Sequence, residues 1–110
     1  MLGRAALVRT LGADSPEQGD LQDATRFLLE ELAARAPGRS VEVRVPPYGA
    51  VQCVEGPRHT RGTPANVVEL DPLTWVQLGA GVLTWGDAVA QGRVAASGGR
   101  ADLDMLLPLV

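Results

Sequence analysis

The chain has 110 residues, of which 45% are hydrophobic and 21% charged, and its formal net charge is −3. This length and composition are those of one globular domain, residues 1–110, with a sizeable core. The ten basic residues are all arginines and are interspersed with acids, which excludes a basic patch for nucleic acid. The absence of lysine excludes a Schiff-base lysine and a P-loop lysine.

The cysteine count and the hydropathy pattern limit which metal sites and which cellular location we expect. Cys53 is the single cysteine, so an intrachain disulfide and zinc ligation by paired cysteines are both excluded. The longest apolar run near the N-terminus, residues 5–8, is too short for a signal-peptide core or a membrane span. We therefore expect a cytoplasmic protein without stable membrane insertion, and with no metal and no cofactor.

Two helices are predicted in the N-terminal third. Residues 2–11 have helical composition, and residues 12–19 are predicted to be a loop because they contain two glycines and a proline. Asp20 is a suitable N-cap for an amphipathic helix over residues 20–36. The apolar face of this helix consists of Leu21, Ala24, Leu28 and Leu32. The pattern leaves open whether residues 1–19 lie at the periphery or dock on the domain.

Four short strands are predicted in the rest of the chain. Val41, Val43 and Val45 alternate with polar residues over positions 40–45, which is the pattern of a strand with one face in water. The other three strands are predicted at residues 50–54, 66–70 and 94–97.

Clear capping signals delimit the helices of the last third. Asp71-Pro72 begins the first helix, and the glycines after it end it. Thr84, with Asp87 three residues on, has the spacing of a capping box and begins a second, shorter helix. Asp102 is predicted to cap a final helix. Together these elements predict an α+β domain whose sheet is covered by helices on one face.

The same C-terminal residues resemble those of sterol carrier protein-2-like domains. The shared pattern is a capped helix, a glycine turn, a helix ending in glycine, a strand ending in glycine and a closing helix. It is carried by Asp71-Pro72-Leu73, Trp75, Leu78, Gly81, Leu83, Ala88, Gly92, Val94, Gly98, Leu106 and Leu109. Residues 39–75 also resemble the small bacterial branch of that family found in actinobacteria.

The resemblance implies a curved sheet of four to five strands, helices packed on one face, and an apolar tunnel between the layers for an acyl chain, acyl-CoA or sterol. It implies a non-enzymatic carrier whose partner is a lipid-like small molecule held by apolar burial. We place the ligand contacts at Trp75, Leu78, Trp85, Val89, Leu103, Leu106 and Leu107. For the two tryptophans a core role is the competing interpretation, since large aromatic side chains dominate ordinary packing.

A second function stays open beside the carrier. Four strands are predicted where the family sheet has five, and a smaller sheet leaves less room for a tunnel. The alternative is therefore a protein-interaction or accessory module that keeps the fold without a tunnel. Self-association as a homodimer is also left open.

The loop over residues 57–64 has the most distinctive chemistry of the chain. It contains the single histidine, two arginines and two threonines. One interpretation is an anion or head-group site formed by Arg58, His59, Arg61 and Thr63. The other is a solvated polar loop tethered to nearby acids. An enzyme using His59 as a base, alone or with Cys53, is a third function, but a cysteine in a strand is more often a small buried hydrophobe.

Overall fold

The computed structural model describes residues 2–56 and 66–110 of the chain. Within these residues the protein is an α+β fold, as predicted, with four helices, four strands and one 3₁₀ turn. The elements are α1 (Leu2–Gly12), α2 (Gln18–Arg35), β1 (Val41–Val45), β2 (Gly49–Cys53), β3 (Val67–Leu70), α3 (Pro72–Ala80), α4 (Trp85–Ala90), β4 (Val94–Ser97) and the 3₁₀ turn Asp104–Leu106.

The four strands form one mixed sheet in the order β2-β1-β3-β4. β1 runs parallel to β3, and the two outer pairs are antiparallel. The register places Val43 opposite both Val51 and Val68, and Val68 opposite Ala96. Because neighbours in register share a face, these four residues form one row across the sheet. Val43 and Val68 in its middle are completely buried, whereas Ala96 at the β4 edge is exposed.

The opposite face of the sheet is polar. Glu42 and Arg44 of β1 form an ion pair there. Glu69 of β3 lies next to Arg44 in register and is exposed. The alternation of valines and charged residues in β1 therefore marks the two faces as the sequence predicts.

The core lies between the sheet and a helical layer made by α2 and α3. Leu28 and Leu32 of α2 are completely buried, which confirms the predicted apolar face. Trp75 of α3 and Val43 of β1 are equally buried. The two helices approach closely where α3 has Gly79, since a Cβ built there would lie 2.7 Å from Cδ1 of Leu28.

Helix α2 begins at Gln18, and its N-cap is Glu17, three residues before the predicted cap Asp20. The Glu17 side chain makes no capping hydrogen bond. Asp20, predicted to be the cap, lies in the first turn and accepts a hydrogen bond from Arg9 Nε at 3.0 Å. A carboxylate in the first turn of a helix is favourable without capping it.

Helix α1 packs on α2. Ala6, Leu7 and Thr10 are buried, and a Cβ built on Gly3 would overlap the side chain of Phe27. The first helix thus contributes side chains to the same core. No helix within residues 2–56 and 66–110 is long and apolar enough to cross a membrane.

Strand β2 ends at Cys53, one residue before its predicted end, because Val54 has a positive φ of 64°. The Val54 N–H donates to the Ala36 carbonyl at 2.7 Å, and the Val54 carbonyl accepts from Ser40 N–H at 3.0 Å. These bonds tie the end of β2 to the connection between α2 and β1. Gly38 is required in this connection, because a Cβ there would clash with the Val54 carbonyl.

The final helix predicted after Asp102 is a single 3₁₀ turn. The Asp102 carboxylate does accept a hydrogen bond from Asp104 N–H, at 2.8 Å. The turn does not continue because Pro108 has no N–H to donate. Beyond it, Leu109 N–H donates to the Gly79 carbonyl at 2.8 Å, which holds the chain against α3 instead.

Candidate functional site

A pocket of about 170 Å³ lies where the corner between α3 and α4 meets the C-terminal segment. It is partly open to solvent, and its lining is mainly apolar. The corner contributes Leu78, Gly81, Leu83, Thr84 and Trp85, and the C-terminal segment contributes Asp104, Leu107 and Pro108.

Local capping builds the corner wall of the pocket. Gly81 ends α3 in the left-handed region with a φ of 80°, and its N–H donates to carbonyls of the last turn. A residue with no Cβ adopts this conformation without strain. Thr84 then begins α4, since its hydroxyl accepts the Asp87 N–H at 3.1 Å. This cap sets Trp85 at the first position of α4, with its ring buried beside the pocket.

Two buried leucines hold the C-terminal wall in place. Leu103 and Leu109, on either side of the 3₁₀ turn, are both completely buried. Of the residues between them, Asp104, Leu107 and Pro108 line the pocket. At Gly81 a Cβ would lie 3.3 Å from Cβ of Pro108, so the glycine also lets the two walls approach closely.

The structure brings three of the seven predicted ligand contacts together in this pocket: Leu78, Trp85 and Leu107. The other four are placed elsewhere. Trp75 and Leu103 are fully buried in the core, and Leu106 is partly buried against it. Val89 is half exposed on α4.

Five residues that line the pocket were not among the predicted contacts: Gly81, Leu83, Thr84, Asp104 and Pro108. The sequence did carry a signal for two of them, because Gly81 was identified as a helix end and Thr84 as a cap. Asp104 carried no signal. Its place depends on how the C-terminal segment folds back on α3, which local patterns do not report.

The predicted head-group residues Arg58, His59, Arg61 and Thr63 lie outside the described residues. Their role stays a prediction. Cys53, the other member of the considered dyad, is completely buried at the end of β2. Burial raises the pKa of its thiol to about 11, so the sulfur is protonated near neutral pH and is a poor nucleophile.

The pocket lining offers little for catalysis. Its hydroxyl, on Thr84, already accepts a backbone hydrogen bond, and its one ionisable group is the Asp104 carboxylate. No base pairs with the hydroxyl among the lining residues. Within residues 2–56 and 66–110 no three His, Cys, Asp or Glu side chains are grouped so that they could hold a metal ion.

The interface between the sheet and the helices is closed where the core side chains meet. Leu28, Leu32, Val43 and Trp75 expose none of their surface. A side chain lining an internal void large enough for water would expose area to that void. At these side chains the two layers are therefore in direct contact, as in an ordinary close-packed interior.

The fold and the pocket together describe an α+β domain with a small, mainly apolar pocket at a helix corner. Comparison with protein families matches residues 17–109 to the family described as bacterial SCP ortholog, where SCP stands for sterol carrier protein. The chain belongs to this family. The match begins at the N-cap of α2, so α1 precedes it. No curated protein matches the chain.

Proposed function

We propose that the protein is a non-catalytic carrier-type domain that binds the apolar end of a single-chain amphiphile in the corner pocket. Family membership supports a carrier of the sterol and lipid class. The observation that carries the finer proposal is the pocket itself, whose lining contains Leu78, Trp85 and Leu107. Burial of apolar surface is the driving force for such binding.

The volume of the pocket limits what it can hold. At about 170 Å³ it is smaller than the roughly 300–1,000 Å³ of sites that enclose a drug-sized ligand. It corresponds to roughly six water molecules at about 30 Å³ each. This space suits the end of an alkyl chain better than a whole sterol.

Apolar residues around the pocket support the same proposal. Val82, between the lining residues Gly81 and Leu83, is 66% exposed. Met105, beside the lining residue Asp104, is 95% exposed. Both residues adjoin lining residues along the chain, and we expect them to contact the part of a ligand that extends beyond the pocket.

The affinity expected for a short probe follows from the area it buries. Six methylene groups at about 0.8 kcal/mol each contribute about 5 kcal/mol. The entropic cost of association is subtracted from this gain, so roughly 0.2 mM is the tightest Kd expected for such a probe. The probe of choice is 1-octanol, which is neutral and has a chain slightly longer than the pocket holds.

A pair of variants tests the proposal. Leu107→Trp adds volume to the pocket wall, whereas Leu106→Trp adds the same volume at a neighbouring, partly buried residue outside the lining. We expect Leu107→Trp to weaken 1-octanol binding about tenfold or more, which corresponds to about 1.4 kcal/mol, and Leu106→Trp to change it less than threefold. Equal affinity of the wild type and Leu107→Trp contradicts a ligand in this pocket.

The tunnel-less interaction module is the second candidate function. The observation that favours it is the close contact of the two layers at Leu28, Val43 and Trp75, which leaves no space for a ligand at these side chains. The two proposals differ in one measurement: the module predicts no saturable binding of 1-octanol or longer alkyl chains by the folded protein, and the carrier predicts binding.

A further inference from the structure

We infer that the corner pocket selects amphiphiles whose head group donates hydrogen bonds, an amine or an alcohol, over those with an anionic head. This inference rests on the proposed function and names the ligand class of the same site. Its basis is the Asp104 carboxylate, which is the one ionisable side chain in an otherwise apolar and neutral lining.

Asp104 is held at the edge of the pocket by the backbone. Its N–H donates to the Asp102 carboxylate at 2.8 Å, and it begins the 3₁₀ turn whose ends are anchored by buried leucines. Asp104 itself is exposed. A ligand with its chain in the pocket would therefore have its head group near this carboxylate, at the boundary with solvent.

Two further acidic residues outside the lining are hydrogen-bonded to lining residues. Asp102 is bonded to the Asp104 backbone, and Asp87 is bonded through its N–H to the lining residue Thr84. The arginines that flank β4 have partners of their own. Arg93 donates to Thr74 and Gln77, and Arg100 donates to the Glu55 carbonyl.

A carboxylate accepts hydrogen bonds and has none to donate. It can bond an ammonium or a hydroxyl group, and it repels a carboxylate or phosphate. Two charges at close range interact in water, and they interact more strongly in a partly desolvated site. The structure therefore assigns Asp104 the role of a specificity residue that disfavours fatty acid anions and phosphorylated heads.

Three probes with the same eight-carbon chain test this assignment: octylamine, 1-octanol and octanoate, titrated at neutral pH and low salt into the whole protein. We expect octylamine to bind at least about fivefold more tightly than octanoate, with 1-octanol between them. Asp104→Asn is expected to bring the three affinities within about twofold of one another. Asp87→Asn, which removes the same charge outside the lining, is expected to preserve the order.

The outcomes separate this inference from the proposed function. Octanoate binding as tightly as octylamine, or an order that Asp104→Asn leaves unchanged, overturns the inference while binding of 1-octanol still supports a carrier. No saturable binding of any of the three probes overturns both. Added salt distinguishes the amine head group from the alcohol. Screening is expected to weaken the binding of the charged octylamine and to leave the binding of 1-octanol unaffected.

Discussion

The indole Nε1 of Trp75 donates a hydrogen bond to the backbone carbonyl of Thr25 at 3.2 Å. Both residues are completely buried, and the bond joins α3 to the middle of α2. It satisfies the one polar atom of the largest core side chain. Trp75 is therefore a structural residue, whereas Trp85 lines the pocket.

This difference between the two tryptophans predicts a difference in stability. Trp75→Phe removes the bond to Thr25 and part of a fully packed ring, so we expect the free energy of unfolding to fall by about 1–3 kcal/mol. Trp85→Phe, at a residue that adjoins the pocket, is expected to lower the free energy of unfolding by less. Urea denaturation of the two variants measures both values, and an equal or larger loss for Trp85→Phe contradicts the assignment.

Two helical glycines form a matched pair for testing the α2–α3 contact. Gly79→Ala places a Cβ against Leu28, and such overpacking typically costs about 1–3 kcal/mol. Gly86→Ala, in α4, meets no atom within 4 Å. It is expected to be neutral or to stabilise by up to about 1 kcal/mol, because alanine has the higher helix propensity. Thermal denaturation of both variants checks the prediction, and a harmless Gly79→Ala would show that Leu28 moves freely.

The buried thiol of Cys53 predicts a loss of stability at high pH. Its pKa is raised from 9.0 to about 11 by burial in the folded protein. A group whose pKa is raised by folding binds its proton more tightly in the folded protein. The contribution of the thiol to the free energy of unfolding is therefore complete below about pH 9 and disappears as the pH approaches 11. We expect the free energy of unfolding to fall by about 2 kcal/mol over this range on account of Cys53.

Cys53→Val provides the comparison, because it keeps an apolar side chain of similar size without the titrating group. Urea denaturation at a series of pH values is expected to show a shallower decline for Cys53→Val than for the wild type. If the free energies of unfolding of the wild type and of Cys53→Val declined in parallel between pH 9 and 11, the thiol would have the same pKa in the folded and unfolded chains.

The C-terminal wall of the pocket depends on the burial of Leu109. Leu109→Ala is expected to destabilise the protein by about 2–5 kcal/mol, as at other fully buried leucines. It should also weaken 1-octanol binding, because Leu107 and Pro108 lose their anchor. Val110→Ala changes a residue that is 42% exposed, and its effect is expected to stay within about 0.5 kcal/mol. Similar effects of the two variants would show that the last residues are not packed as described.

Local signals predict much of this fold. The caps at Asp71 and Thr84 and the alternation in β1 each depend on neighbouring residues only, and the structure places all three as predicted. The predicted cap of α2, Asp20, lies instead in the first turn, where its carboxylate is bonded to Arg9 of another helix. The last helix was misjudged because the chain bonds to Gly79, thirty residues away from Leu109.

Less of the candidate site could be predicted, because it too depends on contacts between distant parts of the chain. Leu78 and Trp85 are among the ligand contacts placed from the family resemblance, and both line the pocket. Asp104 enters the site through the return of the C-terminal segment to α3. A contact of this kind depends on tertiary packing, and neither periodicity nor capping residues indicate it.

Mapping the binding of 1-octanol by NMR on ¹⁵N-labelled protein tests the central claim most directly. The two indole N–H signals report on the two possible locations. We predict saturable shifts at the Trp85 indole and at the amides of Gly81, Leu83 and Leu107, while the Trp75 indole and the amide of Val43 stay unchanged. Shifts concentrated at Trp75 and Val43 would place the ligand between the sheet and the helices and contradict the corner pocket, and an absence of any saturable shift would contradict the carrier function itself.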